Sequence, residues 1–459
     1  MRLHGDAAAR TMGGALEGPD AAFTGVSIDS RTLAPGDLFF AIRGPRFDGH
    51  TFVPDALRAG ASGVVVDRGY DRRAEVTGGF LIRVADPTEA LGALAREQRL
   101  TSGVRIVAIT GSLGKTTTKE AAAAAIGAER SVFRSRGNLN NQWGLPLSLL
   151  AREDEEVGVV ELGMSAPGEI RTLTEIAAPD CGVLTTIAEA HLEYFGSLEA
   201  IAAAKGELYE TLPAGATAVV NADDERVRAQ AGRFSGRRVT YGFAEGVDVR
   251  GWDYNSLGGG IEFAVSAFGG PAVGVSCLLR GRHNASNVLA GLAAATVLDV
   301  SLDEAAAGVR SLKPLPGRGQ RIALENEAVL VDETYNSSPR ALKTLLLELR
   351  MEPARRRILV VGDMLELGDD AVRLHRECGH LACSMGLDLT IGVGPLGQEM
   401  AKAMSEVGER VEYAESPEAA AKLLKSELAA GDLVLLKASR AVGMERAVEA
   451  LRDGRGGDA

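Results

Sequence analysis

Short apolar runs of strand length, separated by helix-forming stretches, recur along the whole chain. In the first hundred residues they fall at 26–28, 38–41, 63–66 and 81–84, with a helical pattern near 52–59. Alternation of this kind predicts a small α/β domain. After a helix over about 88–100, longer apolar runs follow at 104–109, 157–162, 182–187 and 217–220. Their continuous hydrophobicity is typical of parallel strands buried on both faces, so we expect a second, parallel sheet.

The pattern of apolar positions changes twice in the rest of the chain. Residues 237–279 are rich in glycine and contain alternating runs, which predicts an antiparallel extension of the central sheet. Two prolines and a glycine at 313–317 then break regular structure. Beyond them, apolar runs at 329–332, 358–361, 387–393 and 432–437 alternate with helical patterns, which indicates a Rossmann-like sheet.

We therefore predict an α/β protein of three domains. They are a small N-terminal α/β domain at 1–101, a central domain with a parallel sheet at 102–313, and a C-terminal Rossmann-like domain at 314–459. A length of 459 residues with 46% hydrophobic content is sufficient for that many buried cores.

Charge and cysteine content exclude several classes of protein. The net charge of −12 argues against nucleic-acid binding, which needs a basic surface. The four cysteines lack C-x-x-C spacing, so a disulfide framework or a structural zinc site is not expected. The N-terminus has no apolar signal core and no run approaches about 18 apolar residues, which predicts a cytoplasmic protein without membrane insertion. Nothing in the sequence indicates an obligate interface, and we expect a monomer.

A glycine-rich loop joins the first predicted central strand to a helix. Its sequence is TGSLGKTTT at 110–118. Glycines let backbone N–H groups point inward at phosphates, Lys115 can reach the outer phosphates, and Thr116 can offer a hydroxyl to Mg2+. The alternative is a turn that needs glycine for its conformation alone. We predict a P-loop ATPase-like domain that binds nucleotide through Gly111, Ser112, Leu113, Gly114, Lys115, Thr116 and Thr117.

Two groups suited to a metal follow neighbouring strands of the same predicted sheet. Glu161 ends the run at 157–162, and His191 lies just beyond the run that ends at 187. A glutamate at the end of an apolar strand is costly to bury unless it meets a cation. A solvated strand end for Glu161 and a helix cap or core position for His191 are the alternatives.

For four more residues of the central domain, the sequence is compatible with both a functional and a purely structural role. Lys205 lies on a helix after the histidine loop, where a surface lysine is the ordinary expectation. Asn138 begins an amide-rich loop that can hold phosphate or cap turns. Asn284 and Asn287 can present amides to a nucleotide base or serve as helix caps.

Polar residues also follow the strands predicted for the third domain. Because the carboxyl ends of parallel strands meet at one edge of a sheet, these side chains are expected to converge on one crevice. Lys437 and Arg440 can clamp an anion there, with a basic turn as the alternative. The full set is Asp332, Tyr335, Asn336, Asp363, Lys437 and Arg440.

In order and spacing, these motifs resemble those of the Mur ligases, ATP-dependent amide-forming enzymes of peptidoglycan precursor synthesis. The resemblance spans nearly the whole chain. It is carried by the loop at 110–120, Asn138-Leu-Asn-Asn, Glu161-Leu-Gly-Met-Ser, His191-Leu-Glu, Ala204-Lys-Gly-Glu, His283-Asn-Ala-Ser-Asn287 and Gly317-Arg318. Tyr335-Asn-Ser-Ser-Pro339 and Gly362-Asp-Met-Leu-Glu-Leu-Gly368 look like the members that add D-alanyl-D-alanine to UDP-N-acetylmuramoyl-tripeptide. Ser27-Ile-Asp-Ser-Arg31 and Phe47-Asp-Gly-His50 look like the family's UDP-sugar domain.

The resemblance implies a role for each candidate residue. The cofactors would be ATP and Mg2+, with the metal placed by Thr116, Glu161, His191 and a carbamylated Lys205. Lys115, Glu161, His191 and Lys205 would serve catalysis. Asn138, Asn284, Asn287, Arg318 and Asp332 would complete the ATP site. The substrates would be contacted by Ser27, Ser30, Arg31, Tyr335, Asn336, Asp363, Lys437 and Arg440.

The chain departs from the family pattern at Leu113, Ala438 and Ser338. Leu113 contributes backbone, whereas Ser338 replaces an amide near the expected site of the incoming substrate. Two rival readings are another amide ligase of the same architecture, such as the enzyme adding the third amino acid or folylpolyglutamate synthase, and a regulatory NTPase that forms no bond. The Asp-Asn-Pro-Arg motif of the enzyme that adds the third amino acid is absent. A regulatory NTPase would need only the glycine-rich loop, so this alternative does not explain Glu161, His191 and Lys205.

Overall fold

Three large β-sheets with flanking helices, and a small two-stranded sheet near the N-terminus, make up the described part of the chain. The computed structural model describes residues 3–71, 79–189, 192–256, 259–324 and 327–452. The architecture is α/β with three domains, as the alternation of apolar runs predicts.

The N-terminal domain has a five-stranded sheet in the order β2-β7-β6-β5-β4 and a two-stranded sheet of β1 and β3. Strands β4, β5, β6 and β7 are parallel, and β2 is antiparallel to β7. The elements are β1 Leu3–His4, α1 Gly5–Thr11, β2 Ala15–Glu17, β3 Ala22–Phe23, β4 Gly25–Ser27, β5 Asp37–Phe40, a 3-10 turn Gly49–Phe52, α2 Val53–Arg58, β6 Gly63–Asp67, β7 Phe80–Val84 and α3 Pro87–Thr101.

The central domain contains a nine-stranded sheet in the order β16-β15-β14-β13-β12-β11-β8-β10-β9. Its first half comprises β8 Arg105–Thr110, α4 Lys115–Ile126, β9 Val132–Arg134, α5 Gly144–Leu150, β10 Val157–Glu161, α6 Glu169–Ala177, β11 Cys181–Leu184, α7 Leu192–Phe195, α8 Leu198–Thr211 and β12 Thr217–Asn221. The second half comprises α9 Glu225–Ala231, β13 Arg237–Gly242, β14 Val249–Asn255, β15 Ile261–Ala267, β16 Val273–Cys277, α10 Arg282–Val297, α11 Leu302–Gly308 and a 3-10 turn Val309–Ser311.

The C-terminal domain has a six-stranded sheet in the order β17-β18-β22-β19-β20-β21, parallel except for the edge strand β17. Ser338 and Pro339 are the N-cap and first residue of α12. The elements are β17 Gln320–Ala323, β18 Val329–Glu333, α12 Pro339–Met351, β19 Arg356–Gly362, a 3-10 turn Gly368–Asp370, α13 Ala371–Cys383, β20 Leu389–Val393, α14 Gly394–Ser405, β21 Val411–Ala414, α15 Pro417–Glu427, β22 Asp432–Lys437, a 3-10 turn Arg440–Val442 and α16 Glu445–Arg452.

The expected antiparallel extension is correct in part. Strand β13 runs parallel to both β12 and β14, so the prediction of an antiparallel segment from residue 237 onward is wrong there. Within the described part of this segment, the antiparallel pairings are those of β15 with β14 and of β15 with β16. Apolar alternation does not distinguish the two directions here, because β14 is parallel to β13 and yet alternates buried with more exposed residues.

Helix α3 packs against both the N-terminal and the central domain. Its buried Leu91 and Leu94 belong to one apolar cluster that contains Phe40 of the N-terminal sheet and Ile106 of the central sheet. Arg99 adds an ion pair to Asp180, with Nη2 2.7 Å from Oδ2. The predicted boundary at 101–102 therefore lies at the end of a helix that both domains bury.

Candidate active site

All three domains contribute to one large cavity of about 1320 Å³ at the carboxyl ends of the central parallel strands. Most of the residues predicted from the sequence line it: Ser112, Leu113, Gly114, Lys115, Thr116, Thr117, Asn138, Glu161, Lys205, Asn284, Asn287, Arg318, Tyr335, Asn336 and Lys437. Gly111 lies in the loop at 110–118 and Asp332 near the end of β18, and neither lines the cavity. His191 falls outside the described residues.

Two glycines allow the loop at 110–118 to approach its neighbours closely. Gly114 has a φ of +82°, and a Cβ there would lie 3.0 Å from Cγ of Asn287 and closer still to its Oδ1. Gly111 has a φ of +151°, and its Cβ would overlap the hydroxyl of Thr185. That hydroxyl donates to the carbonyl of Leu113 at 2.6 Å. A side chain at either glycine is therefore excluded both by conformation and by space.

The ammonium of Lys115 lies inside the loop. Its Nζ donates to the carbonyl of Gly111 at 2.7 Å. Burial lowers the pKa of Lys115, while the charge of Glu161 opposes that shift and Arg318 adds to it. A desolvated cation beside exposed helix N–H groups is suited to an anionic ligand.

Glu161 is buried at the end of β10 and is held by a network that the sequence reasoning missed. Its N–H donates to Ser135 Oγ at 3.1 Å, and its Oε1 lies 3.3 Å from Lys119 Nζ. Lys119 is itself 2% exposed, donates to the carbonyl of Ser135 at 2.8 Å, and lies 3.3 Å from Glu120 Oε1. Among the described residues Oε1 of Glu161 accepts no hydrogen bond. Glu161 is thus an oriented carboxylate with a free lone pair, and a solvated strand end is ruled out.

Lys205 is a fully buried lysine, so the surface alternative is wrong. It is 1% exposed and lies on α8 against the cavity. Burial, followed by repulsion from Lys115, lowers the pKa of Lys205 well below its ordinary value. In the part of the chain that the structure describes, no ion pair offsets this burial. An amine in such surroundings is favoured in its neutral form.

These side chains fit a magnesium site of the expected kind. The carboxylate of Glu161, whose Oε1 is paired with Lys119 but accepts no hydrogen bond among the described residues, and the hydroxyl of Thr116 are both oxygen ligands, which Mg2+ prefers. A neutral Lys205 can become a carbamate with carboxylate-like oxygens. No cluster of three or more His, Cys, Asp or Glu suited to a metal occurs in the described ranges. Such a cluster is not expected there, because Glu161 is the one expected ligand of these four types within those ranges.

Two asparagines connect the start of α10 to the glycine-rich loop at 110–118, which we call the phosphate-binding loop for its predicted role. Asn287 Nδ2 donates to Asn284 Oδ1 at 3.2 Å, and Asn284 Nδ2 donates to the carbonyl of Arg280 at 2.8 Å. Thr118 Oγ1 donates to Asn287 Oδ1 at 3.4 Å. Gly281, not an asparagine, is the N-cap of α10. The amides therefore position the loop and face the cavity, rather than capping the helix.

The C-terminal domain contributes a second set of residues to the cavity. The guanidinium of Arg318 lies over the Tyr335 ring, with Cζ 3.8 Å from its centroid, and Arg440 lies on the same ring at 5.2 Å. Asp332 accepts from Gly317 N at 3.0 Å and from Thr334 Oγ1 at 2.6 Å. Asp332 thus orders the turn that presents Arg318.

Two predicted substrate residues of this domain are engaged in protein contacts. Lys437 Nζ donates to the carbonyl of Asn336 at 2.9 Å, and burial lowers the pKa of Lys437 while Glu333 opposes the shift. Asp363 Oδ1 accepts from Leu396 N and Gly397 N, both at 2.8 Å, and so caps α14. Asp363 and Arg440 do not line the cavity.

The residues predicted to hold the UDP group lie apart from this cavity. Ser27 Oγ donates to the carbonyl of Asp29 at 3.0 Å, and Arg31 pairs with Asp29 at 2.6 Å. Neither they nor Ser30 line the cavity, to which the N-terminal domain contributes Pro45.

Models of three Mur ligase segments match the chain. The family's catalytic domain matches residues 22–99, its middle domain 109–295 and its glutamate ligase domain 317–440. The UDP-N-acetylmuramoyl-tripeptide–D-alanyl-D-alanine ligase of Bacillus subtilis (strain 168) is 34% identical over 93% of each chain. That of Escherichia coli (strain K12) is 35% identical over 96% of each chain. The chain belongs to the Mur ligase family.

Solved Mur ligases have the same architecture. MurF from Acinetobacter baumannii superimposes with a TM-score of 0.89 at 28% identity, covering 99% of each chain. MurF ligase from Thermotoga maritima in complex with ADP superimposes with a TM-score of 0.83 at 32% identity, covering 94% of this chain and 97% of the other. No helix within the described part of this Mur ligase is long and apolar enough to cross a membrane.

Proposed function

We propose that this Mur ligase joins D-alanyl-D-alanine to UDP-N-acetylmuramoyl-tripeptide with consumption of ATP, as a step of peptidoglycan precursor synthesis. The observation that carries this proposal is the cavity in which the loop at 110–118, Glu161 and Lys205 face side chains of the C-terminal domain. An enzyme that only binds and hydrolyses nucleotide needs the loop but not a third domain closing on it. The named relatives support the choice of substrates.

The reaction has two steps. The terminal carboxylate of the tripeptide attacks the γ-phosphorus of ATP, which gives an acyl phosphate and ADP. The amine of D-alanyl-D-alanine then attacks the acyl carbon, and inorganic phosphate leaves from the tetrahedral intermediate. Both steps concentrate negative charge, so preorganised donors of the loop and the ammonium of Lys115 would supply most of the stabilisation.

The metal site would consist of Thr116, Glu161, His191 and Lys205 as its carbamate. Magnesium, when bound, would neutralise charge on the phosphate oxygens. The lowered pKa of Lys205 supports carbamylation, because only the neutral amine reacts with carbon dioxide. Gly111, Asn138, Asn284, Asn287 and Arg318 would hold the nucleotide, and Asp332 would act through Arg318.

The three domains would divide the substrates between them. Residues 1–101 would bind the UDP-sugar through Ser27, Ser30 and Arg31, residues 102–313 ATP, and residues 314–459 the dipeptide. Tyr335, Asn336 and Lys437 line the cavity and are the stronger candidates for contact with the dipeptide, whereas Asp363 and Arg440 would support the loops around it. The enzyme would act as a cytoplasmic monomer.

The test is a panel assay with isotopic labelling. Purified protein is given ATP, UDP-muramyl peptides with lysine or diaminopimelate in third place, and several dipeptides, and the products are weighed by mass spectrometry. Oxygen-18 in the terminal carboxylate of the tripeptide should appear in the released phosphate. Phosphate release without dipeptide ligation would favour the regulatory NTPase, and unlabelled phosphate would rule out the acyl phosphate.

A further inference from the structure

Among the described polar contacts between the C-terminal and central domains, three involve a residue that lines the cavity. His283 Nδ1 lies 2.7 Å from Glu348 Oε1, and Glu193 N donates to the carbonyl of Glu366 at 3.1 Å. The third contact involves Arg340, the second residue of α12, whose Nη1 donates to the carbonyl of Ile187 at 2.6 Å. The same atom lies 3.5 Å from Asp224 Oδ2. The contact of Arg340 differs from the other two in its second partner, the carboxylate of Asp224.

Asp224 is a buried carboxylate that organises the segment 186–188. It is 6% exposed. Its Oδ2 accepts from Thr186 Oγ1 at 2.6 Å and from Ile187 N at 3.2 Å, while its Oδ1 caps α9 through Arg226 N and Val227 N. These donors are all neutral. Within the described ranges, Arg340 of the other domain is the cation paired with it.

The segment 186–188 is bonded in turn to the phosphate-binding loop. Ser112 N donates to the carbonyl of Thr186 at 2.8 Å. Ala188 N donates to Ser112 Oγ at 2.9 Å, and Ser112 Oγ lies 2.9 Å from the carbonyl of Ala188 to which it donates. A continuous series of hydrogen bonds therefore leads from α12 through 186–188 to Ser112.

We propose that Arg340 is a positioning residue: docking of the C-terminal domain orders the segment 186–188 through Arg340, and with it Ser112 of the phosphate-binding loop. A charge-assisted bond from a residue that arrives with the docking domain suits this role, because it is lost whenever the domain moves away. The ATP site is then fully formed only when the domain that would carry the dipeptide is in place. The kinetic part of this inference rests on the proposed ligase function, whereas the structural part does not.

The first measurement is hydrogen exchange of the full-length protein with ATP and Mg2+. Arg340→Met should accelerate amide exchange at 186–188 and at 111–114 at least fivefold, since the bonds of that segment open more often. Lys343→Met is the matched control, because Lys343 is an exposed cation on the same helix. It should leave exchange at both segments unchanged. Equal exchange in Arg340→Met and the parent would overturn the inference, whatever reaction the enzyme catalyses.

The second measurement separates positioning from substrate contact. Arg340→Met should lower kcat at least tenfold and leave KM for the dipeptide within twofold, and Arg340→Lys should recover part of kcat. A rise in KM for the dipeptide with unchanged kcat would assign Arg340 to the substrate and refute the inference. If no peptide acceptor supports turnover in the parent protein, the proposed function fails while the exchange result still decides the role of Arg340.

Discussion

Gly114→Ala tests whether the close approach of the phosphate-binding loop to Asn287 is required for nucleotide binding. A Cβ at a φ of +82° costs roughly 1–2 kcal/mol by itself. The new methyl group must also displace the Asn287 amide, which gives up its bonds to Asn284 at 3.2 Å and to Thr118 at 3.4 Å. At about 0.5–1.5 kcal/mol for each bond, the additional cost is about 1–3 kcal/mol. For an additional cost of about 2 kcal/mol, we expect Gly114→Ala to bind ATP roughly 30-fold more weakly than the parent protein. The reason is that this cost destabilises the conformation of the loop that binds ATP.

The matched control is Gly246→Ala. Gly246 has a φ of +80° and no atom within 4 Å of the position its Cβ would take, and it is exposed and away from the cavity. This variant introduces a comparable conformational cost without any overlap, at a position from which ATP binding should be unaffected. Isothermal titration calorimetry of ATP with both variants gives the comparison. If Gly114→Ala bound ATP within twofold of Gly246→Ala, the steric reasoning would be wrong.

Three further predictions concern lysines in or near the cavity, and a fourth concerns movement of the C-terminal domain. Lys115→Ala should reduce turnover at least a hundredfold, about 3 kcal/mol, with an unchanged circular dichroism spectrum; ligation at the parent rate would refute the assignment. Lys119→Met should lower the free energy of unfolding of the central domain by about 3 kcal/mol, because it leaves Glu161 buried without its counter-charge; an unshifted urea midpoint contradicts this. In carbon-dioxide-free buffer, unfolded Lys205 binds a proton that the folded amine releases, so stability should rise with pH from the lowered folded pKa toward 10.5. Lys205→Met should flatten that slope in thermal melts at several pH values. X-ray scattering should show contraction when all substrates are added, as the C-terminal domain turns about 313–317; an unchanged profile would count against closure.

The phosphate-binding loop could be predicted from sequence because its requirements are local. Gly111 and Gly114 adopt conformations that other residues resist, and Lys115 and Thr116 follow at fixed positions. The order of motifs indicated the family, and the alternation of apolar runs indicated the three-domain architecture. The role of Thr185 is not evident from the sequence, because its contact with Leu113 depends on the pairing of two strands that are distant in sequence.

Residues defined by packing between elements were harder to find. Lys119 is four residues after Lys115 on α4, a spacing that places both on one helix face, but whether that face is buried depends on β9 and β10. Lys205 was expected at the surface from its residue type alone, and it is buried against the sheet. Arg340 has no local signal, because its partners lie in another domain.

The burial of helix α3 between two sheets has a consequence for dissecting the protein. Leu91 and Leu94 contact a cluster shared by Phe40 and Ile106, and Arg99 is tied to Asp180. In a fragment ending at residue 101, the apolar side of this helix that packs on the central domain would be exposed to water, which favours aggregation. The five-stranded and the nine-stranded sheet therefore share one apolar core, and we expect the N-terminal and central domains to move as one body if the C-terminal domain turns.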